Sequence, residues 1–205
     1  MNYFAPRKGY IATPIILILN CAIFLALVVV SRSFDTFHPI TLLKFGANYS
    51  KLVEAGQVWR LVSSIFLHLG LMHLLFNSVS LVILGRFIEP LVGSGLFITI
   101  YLVTGMAGST ASYFFNQEVL SAGASGAIFG LFGVFIAVLL GKLIQPELAK
   151  AWGKNIAMIL GINLLMGLFL PVDNAAHLGG LVSGIALGYV SLPVIKKRLL
   201  SHLLK

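Results

Sequence analysis

The stretch Gly123-Ala124-Ser125-Gly126-Ala127-Ile128-Phe129-Gly130 sets one serine between glycines at the head of a long apolar run, Ile128 to Leu140. A serine in that position opens a helix, and its hydroxyl faces the unpaired N–H groups and the positive dipole end of that helix, a place suited to a developing oxyanion. Gly123 and Gly126 keep the backbone open to a substrate and to a neighbouring helix. A small-residue cap on a packed helix is the plainer reading, since Gly-x-Ser-Gly arises by accident. The rest of the chain decides between them.

Of the 205 residues, 59% are hydrophobic and 10% are charged, with a mean hydropathy of +1.00. Soluble domains are about a quarter charged, so lipid must solvate much of this surface. At about 20 residues per span, the apolar runs give an all-α polytopic membrane protein with six transmembrane helices in one domain, residues 1–205. The spans are read at about 11–30, 68–88, 96–115, 125–141, 156–170 and 177–195, with a long outer loop over 31–67. The first resembles a signal peptide but is long for one and lacks a small-residue cleavage site, so it is read as an uncleaved span. Pro90 is expected to stop the second span, and Lys142 to Lys154 is expected to be a polar loop. The single cysteine, Cys21, excludes an intrachain disulfide. No metal or cofactor is expected.

The net charge of +8 is better explained by topology than by nucleic acid, which is not expected as a partner. With both ends cytoplasmic, the inner side receives Arg7, Lys8, Arg86, Lys142, Lys150, Lys154, Lys196, Lys197, Arg198 and Lys205, ten of the 14 basic residues. The outer side receives Arg32, Lys44, Lys51 and Arg60, all in the long loop, with Trp59 at headgroup level. This bias obeys the positive-inside rule. The chain's size suggests a plasma (inner) membrane.

That topology brings four polar side chains to one depth. Spans two, four and six run outside to inside; Ser125 opens the fourth, His177 opens the sixth, and His73 and Asn77 sit in the first half of the second. At about 1.5 Å per residue, all four lie in the outer half of the membrane. His73 and Asn77 are four apart, so they project from one face and aim two hydrogen-bond donors at one place. Phe129, four beyond Ser125, is placed to pack beside the serine and its base. Gly126, Gly130 and Gly133 form one small-residue stripe, and Gly180, Gly184 and Gly188 another. Together they permit the close helix contact that would carry His177 to Ser125. His68 reads as support for the first loop, and Asp173, four before His177, as a turn aspartate before it is read as a third triad member.

These residues resemble the rhomboid family of intramembrane serine proteases. Trp59-Arg60 is similar to the family's first-loop pair. His73-Leu74-Leu75-Phe76-Asn77 matches His-x-x-x-Asn, and Gly85 with Glu89 matches Gly-x-x-x-Glu at the inner end of the same span. Gly123-Ala124-Ser125-Gly126 matches Gly-x-Ser-Gly, with Phe129 where the family has Tyr or Phe. Ala176-His177-Leu178-Gly179-Gly180 opens Ala-His-x-x-Gly, extended by Gly184. The resemblance implies a Ser–His dyad: Ser125 as nucleophile, His177 as general base, and the Ser125 N–H, His73 and Asn77 as oxyanion hole. It implies transmembrane proteins as substrates in the lipid bilayer. A rhomboid-like scaffold that binds without cutting is one alternative, though this chain keeps both serine and histidine. A small transporter is another. Against it, the polar groups stop halfway across.

Overall fold

The computed structural model describes residues 9–166 and 172–203. Arg7, Lys8 and Lys205 of the charge count, and the end of the expected fifth span, lie outside the described residues. Among those described, the ordered elements are helices: α1 (Ala12–Ser31), α2 (Pro39–Phe45), α3 (Ser50–Glu54), α4 (Arg60–Ser63), a 3₁₀ turn (Ser64–Phe66), α5 (Leu71–Val92), α6 (Ser94–Phe115), α7 (Ser125–Leu140), α8 (Pro146–Met166) and α9 (Asn174–Leu203). Four of these, α1, α5, α6 and α9, are long and apolar enough to cross a membrane; α7 is a shorter apolar helix. The all-α polytopic fold read from the sequence is the fold observed.

α7 is the centre of the bundle. Twelve of its sixteen residues are buried, against seven of twenty in α1. A helix that is apolar all round belongs in an interior, and α7 packs against α9, α6 and α5. Glycines set the spacing. A Cβ on Gly180 would fall on the Gly126 carbonyl, one on Gly184 on the Gly130 carbonyl, and one on Gly133 on the backbone of α9 from Leu181 to Ile185. α7 and α9 therefore touch backbone to backbone, as small-residue stripes allow in lipid.

The expected loop 31–67 is largely folded. α2, α3, α4 and the 3₁₀ turn lie within it, and Phe37, Leu42 and Leu67 join Phe24 and Leu74 in a second hydrophobic cluster. Asn48 pairs with Ser121 through both backbone N–H groups at 2.9 Å, and its Nδ2 donates to Ser109 O at 2.9 Å. The loop is thus pinned to the α6–α7 connection.

Three expected boundaries are corrected. α5 does not stop at Pro90 but runs through it to Val92. A proline so near a helix end forfeits a single backbone bond. Gly93, at φ 88°, makes the stop instead, and its N–H donates to Glu89 O at 2.7 Å. The expected polar loop 142–154 is helical from Pro146 onward, because the fixed φ of proline suits the first helical position. α9 begins at Asn174 and continues through Pro193 to Leu203, so Lys196, Lys197 and Arg198 ride a helix.

The glycine contacts separate two identical changes. Gly184→Ala drives a methyl into the Gly130 backbone and should destabilise the protein by about 1–3 kcal/mol. Gly153→Ala, whose Cβ would meet nothing within 4 Å, should be neutral or gain up to about 1 kcal/mol in helix propensity. Thermal melts in detergent give the order, and an equal Tm for the two variants would remove the close-contact account.

Candidate active site

Ser125 is the first residue of α7. The helix has no side-chain cap, so its first-turn N–H groups face outward from the helix end. The turn before it is tight: Gly123 holds φ 153° and donates its N–H to Ser64 O at 3.0 Å. A Cβ at Gly123 would stand 2.8 Å from His73 Cε1, 3.0 Å from His73 Nε2 and 3.5 Å from Ser125 Oγ. The His73 ring and the serine hydroxyl therefore flank one point, and only glycine leaves that point free.

His73 comes from the first turn of α5. Its Nδ1 accepts from the Leu69 N–H at 3.4 Å. The accepting nitrogen of a neutral imidazole carries no proton, so the proton is on Nε2, which borders the same point beside Gly123 as the serine hydroxyl. Asn77 lies one turn on and is 4% exposed. Its Nδ2 donates to His73 O at 2.8 Å, leaving a second N–H free, while its Oδ1 is buried without a partner among the described residues. His68 is fully buried and meets His73 edge-on, centroids 5.3 Å apart; it fills the space behind that ring.

His177 comes from the first turn of α9, and its N–H donates to Asp173 O at 3.1 Å. Its ring stacks on Phe129, centroids 4.0 Å apart and 10° from parallel, which fixes the plane of the imidazole. Asp173 is the cap of α9: its Oδ1 accepts from the Ala176 N–H at 3.0 Å and from Asn116 Nδ2 at 2.6 Å. No hydrogen bond joins it to the His177 ring among the described residues, which favours its reading as a turn aspartate.

Ser125, His177, His73, Asn77, Gly123, Gly126 and Asp173 all line one cavity of about 290 Å³. Among the described residues, no hydrogen bond joins Ser125 Oγ to His177. The other residues singled out from the sequence lie elsewhere. Gly180 and Gly184 sit deeper along the α7–α9 contact. Trp59 and Arg60 stand in the long loop, where Arg60 is buried and donates to Leu43 O at 2.8 Å, Ala47 O at 2.9 Å and Gln57 Oε1 at 2.8 Å. Its guanidinium carbon lies 4.7 Å from the Trp59 ring centre, and burial lowers its pKa from the ordinary arginine value. Glu89 is sixteen residues beyond His73, about 24 Å along α5, and its carboxylate accepts from the N–H groups of Ile11, Ala12 and Thr13 and the hydroxyls of Thr13 and Ser94 at 2.6–2.9 Å.

A sequence profile of the Rhomboid domain matches residues 55–194. The chain belongs to the rhomboid family. It is similar to rhomboid protease GluP of Bacillus subtilis, 42% identical over 169 residues, 80% of this chain and 33% of that protein. RHOMBOID-like protein 1 of Arabidopsis thaliana is 40% identical over 154 residues, 75% of this chain and 40% of the relative. YdcA, a rhomboid relative from the same Bacillus, is 34% identical over 152 residues, 73% of this chain and 75% of the relative. The chain spans about a third to two fifths of the first two relatives. Membership makes this rhomboid chain a multi-pass membrane protein.

Sequence reading missed several residues of this rhomboid cavity. Asp35 and Thr36 form part of its rim because backbone bonds tie their segment to the start of α5: Leu71 N donates to Phe34 O at 2.9 Å and Phe37 N to Leu69 O at 3.2 Å. Ser64 and Ser109, 3.2 Å apart at their hydroxyls, also line it. The sequence held no periodic signal for either pair.

The cap at Asp173 predicts a graded effect. Asp173→Ala should cost about 1 kcal/mol of stability and Asp173→Asn much less, since asparagine caps nearly as well. Equal losses in a detergent melt would show that the carboxylate does more than cap α9.

Proposed function

We propose that this rhomboid chain is an intramembrane serine endopeptidase that cuts other membrane proteins in or beside a transmembrane helix, through a Ser125–His177 dyad near the outer face. One observation carries the reading: the serine at the head of a buried helix and a histidine from the neighbouring helix line the same cavity, held there by glycine-to-backbone contact. The protease names of similar proteins agree with it.

The chemistry follows from the groups present. Ser125 Oγ attacks the scissile carbonyl while His177 takes its proton. Hydrogen bonds of this kind often tighten only when substrate is bound. The oxyanion that forms is met by the Ser125 N–H, by His73 Nε2–H and by the free Nδ2–H of Asn77. His177 then gives its proton to the leaving amine, and water admitted through the cavity hydrolyses the acyl-enzyme. A helical peptide bond is shielded, so the substrate unwinds at the cavity mouth, which helix-weakening residues ease.

The proposed setting is six spans with both termini cytoplasmic in the plasma membrane. α7 and α8 supply the fourth and fifth crossings, and the loop 31–67 lies outside. Reporter fusions within Gly46–Ser50 should report the outer side, and fusions after Lys205 the cytoplasm. A fusion after Lys205 that reports the outer side would overturn the topology.

Co-expression with single-span reporter substrates tests the activity. Wild type should cut at least one, and Ser125→Ala and His177→Ala should cut none. Failure of wild type, with no Ser125-dependent fluorophosphonate labelling, would favour the non-cutting scaffold. Asn77→Ala should keep residual cleavage, with kcat lower by up to about 10²–10³-fold, the cost of one oxyanion donor. Wild-type rates in both Asn77→Ala and His73→Ala would refute the oxyanion assignment.

A further inference from the structure

The cavity is lined by acid and by two acceptors that lack donors among the described residues. The sequence contains two aspartates, Asp35 and Asp173, and both line the cavity, whereas no lysine or arginine among its lining residues does. In a chain with 14 basic and 6 acidic residues, that polarity is opposite to the charge of the whole. Two oxygens there are also unsatisfied: Asp173 Oδ2 and Asn77 Oδ1 are each buried without a partner among the described residues. Both are acceptors. An unpaired buried acceptor is costly until a donor reaches it, and a carboxylate demands a cationic one most strongly.

The two aspartates line the cavity from different elements, Asp173 at the head of α9 and Asp35 in the loop before α2. Asp173 is fixed at the head of α9 by the bonds of its other oxygen to Ala176 and Asn116. Asp35 is fixed against the start of α5 by the backbone bonds on either side of it, at Phe34 and Phe37.

We propose that the cavity contains a cation-selecting subsite, in which Asp173 and Asp35 hold a lysine or arginine side chain of the substrate close to the scissile bond. This rests on the protease reading. Asp173 is one helical turn from His177, about 5.4 Å, and an extended chain advances about 3.3 Å per residue. The cationic residue therefore lies within about three residues of the cut. The cavity offers it a buried, unpartnered oxygen on Asp173 and a second, exposed carboxylate on Asp35.

The test uses purified full-length protein in liposomes and one single-span substrate. Lys, Gln or Glu is placed in turn at each position within about three residues of the cut. Wild type should show, for at least one position, a kcat/KM for Lys about tenfold above that for Glu, with Gln between. In the double variant Asp35→Asn/Asp173→Asn, which keeps the cap on α9, that ratio should fall to within about twofold of one. Asp35→Lys should move the preference toward Glu. A wild type that cuts all three substrates equally, or a double variant that keeps the wild-type ratio, overturns the subsite and leaves the protease standing. A wild type that cuts none of them, Gln included, overturns the protease reading and the subsite together.

Discussion

The site depends on the contact of α7 with α9, where backbone meets backbone. Gly180 lies against the Gly126 carbonyl and Gly184 against that of Gly130, with no room at either for a methyl group. In lipid there is no hydrophobic drive to press helices together, so association rests on close packing. Any side chain larger than hydrogen at these positions would add its thickness to the helix separation. His177 and Ser125 each occupy the first turn of one of these two helices, so that separation is passed directly to the distance between imidazole and hydroxyl. Phe129 adds the orientation: by stacking on His177 it leaves the ring little rotation about its own bonds.

A second constraint fixes the other end of the bundle. Glu89 is fully buried, and a buried carboxylate is tolerable only when its lone pairs are met. Its oxygens accept three N–H groups at the start of α1 and two hydroxyls. The charge also sits at the positive end of α1, where an anion is favoured. Gly85, one turn earlier on α5, gives the room for Thr13. The first helix is thus capped by the fifth. A glutamate inside an apolar run is a structural tie here, far from the serine.

Much of this was legible because lipid makes sequence patterns strict. Long apolar runs had to be helices, and the agreement in depth of His73, Asn77, Ser125 and His177 foretold a single cavity. What could not be read depends on geometry without a period. Pro90 and Pro146 each look like breaks, yet one sits inside the last turn of α5 and the other opens α8. The loop 31–67 is polar in composition, yet its few apolar residues, Phe37, Leu42 and Leu67, anchor it to α1 and α5. Asp35 joins the cavity through two backbone bonds whose partners lie more than thirty residues away, and nothing in its local sequence announces that.

The length of α7 links fold to chemistry. Sixteen residues make about 24 Å of helix, less than the roughly 30 Å of a bilayer's hydrocarbon core. Under the proposed topology such a helix ends inside the membrane, and backbone that ends there must find partners or line a polar space. The Ser125 end has the polar space. Its uncapped N–H groups open toward a cavity lined in part by Asp35, Thr36 and Ser64 of the folded loop, which Asn48 pins to the α6–α7 connection. In that topology a longer α7 would carry the serine up into the headgroups, where bulk water would weaken every dipole aimed at it. A full-length helix without the cavity would leave its N–H groups unsatisfied in lipid. Under the proposed topology the short central helix, the cavity at its serine end and the long loop beside it solve one problem together: they keep a polar helix end below the membrane surface while leaving it room for water.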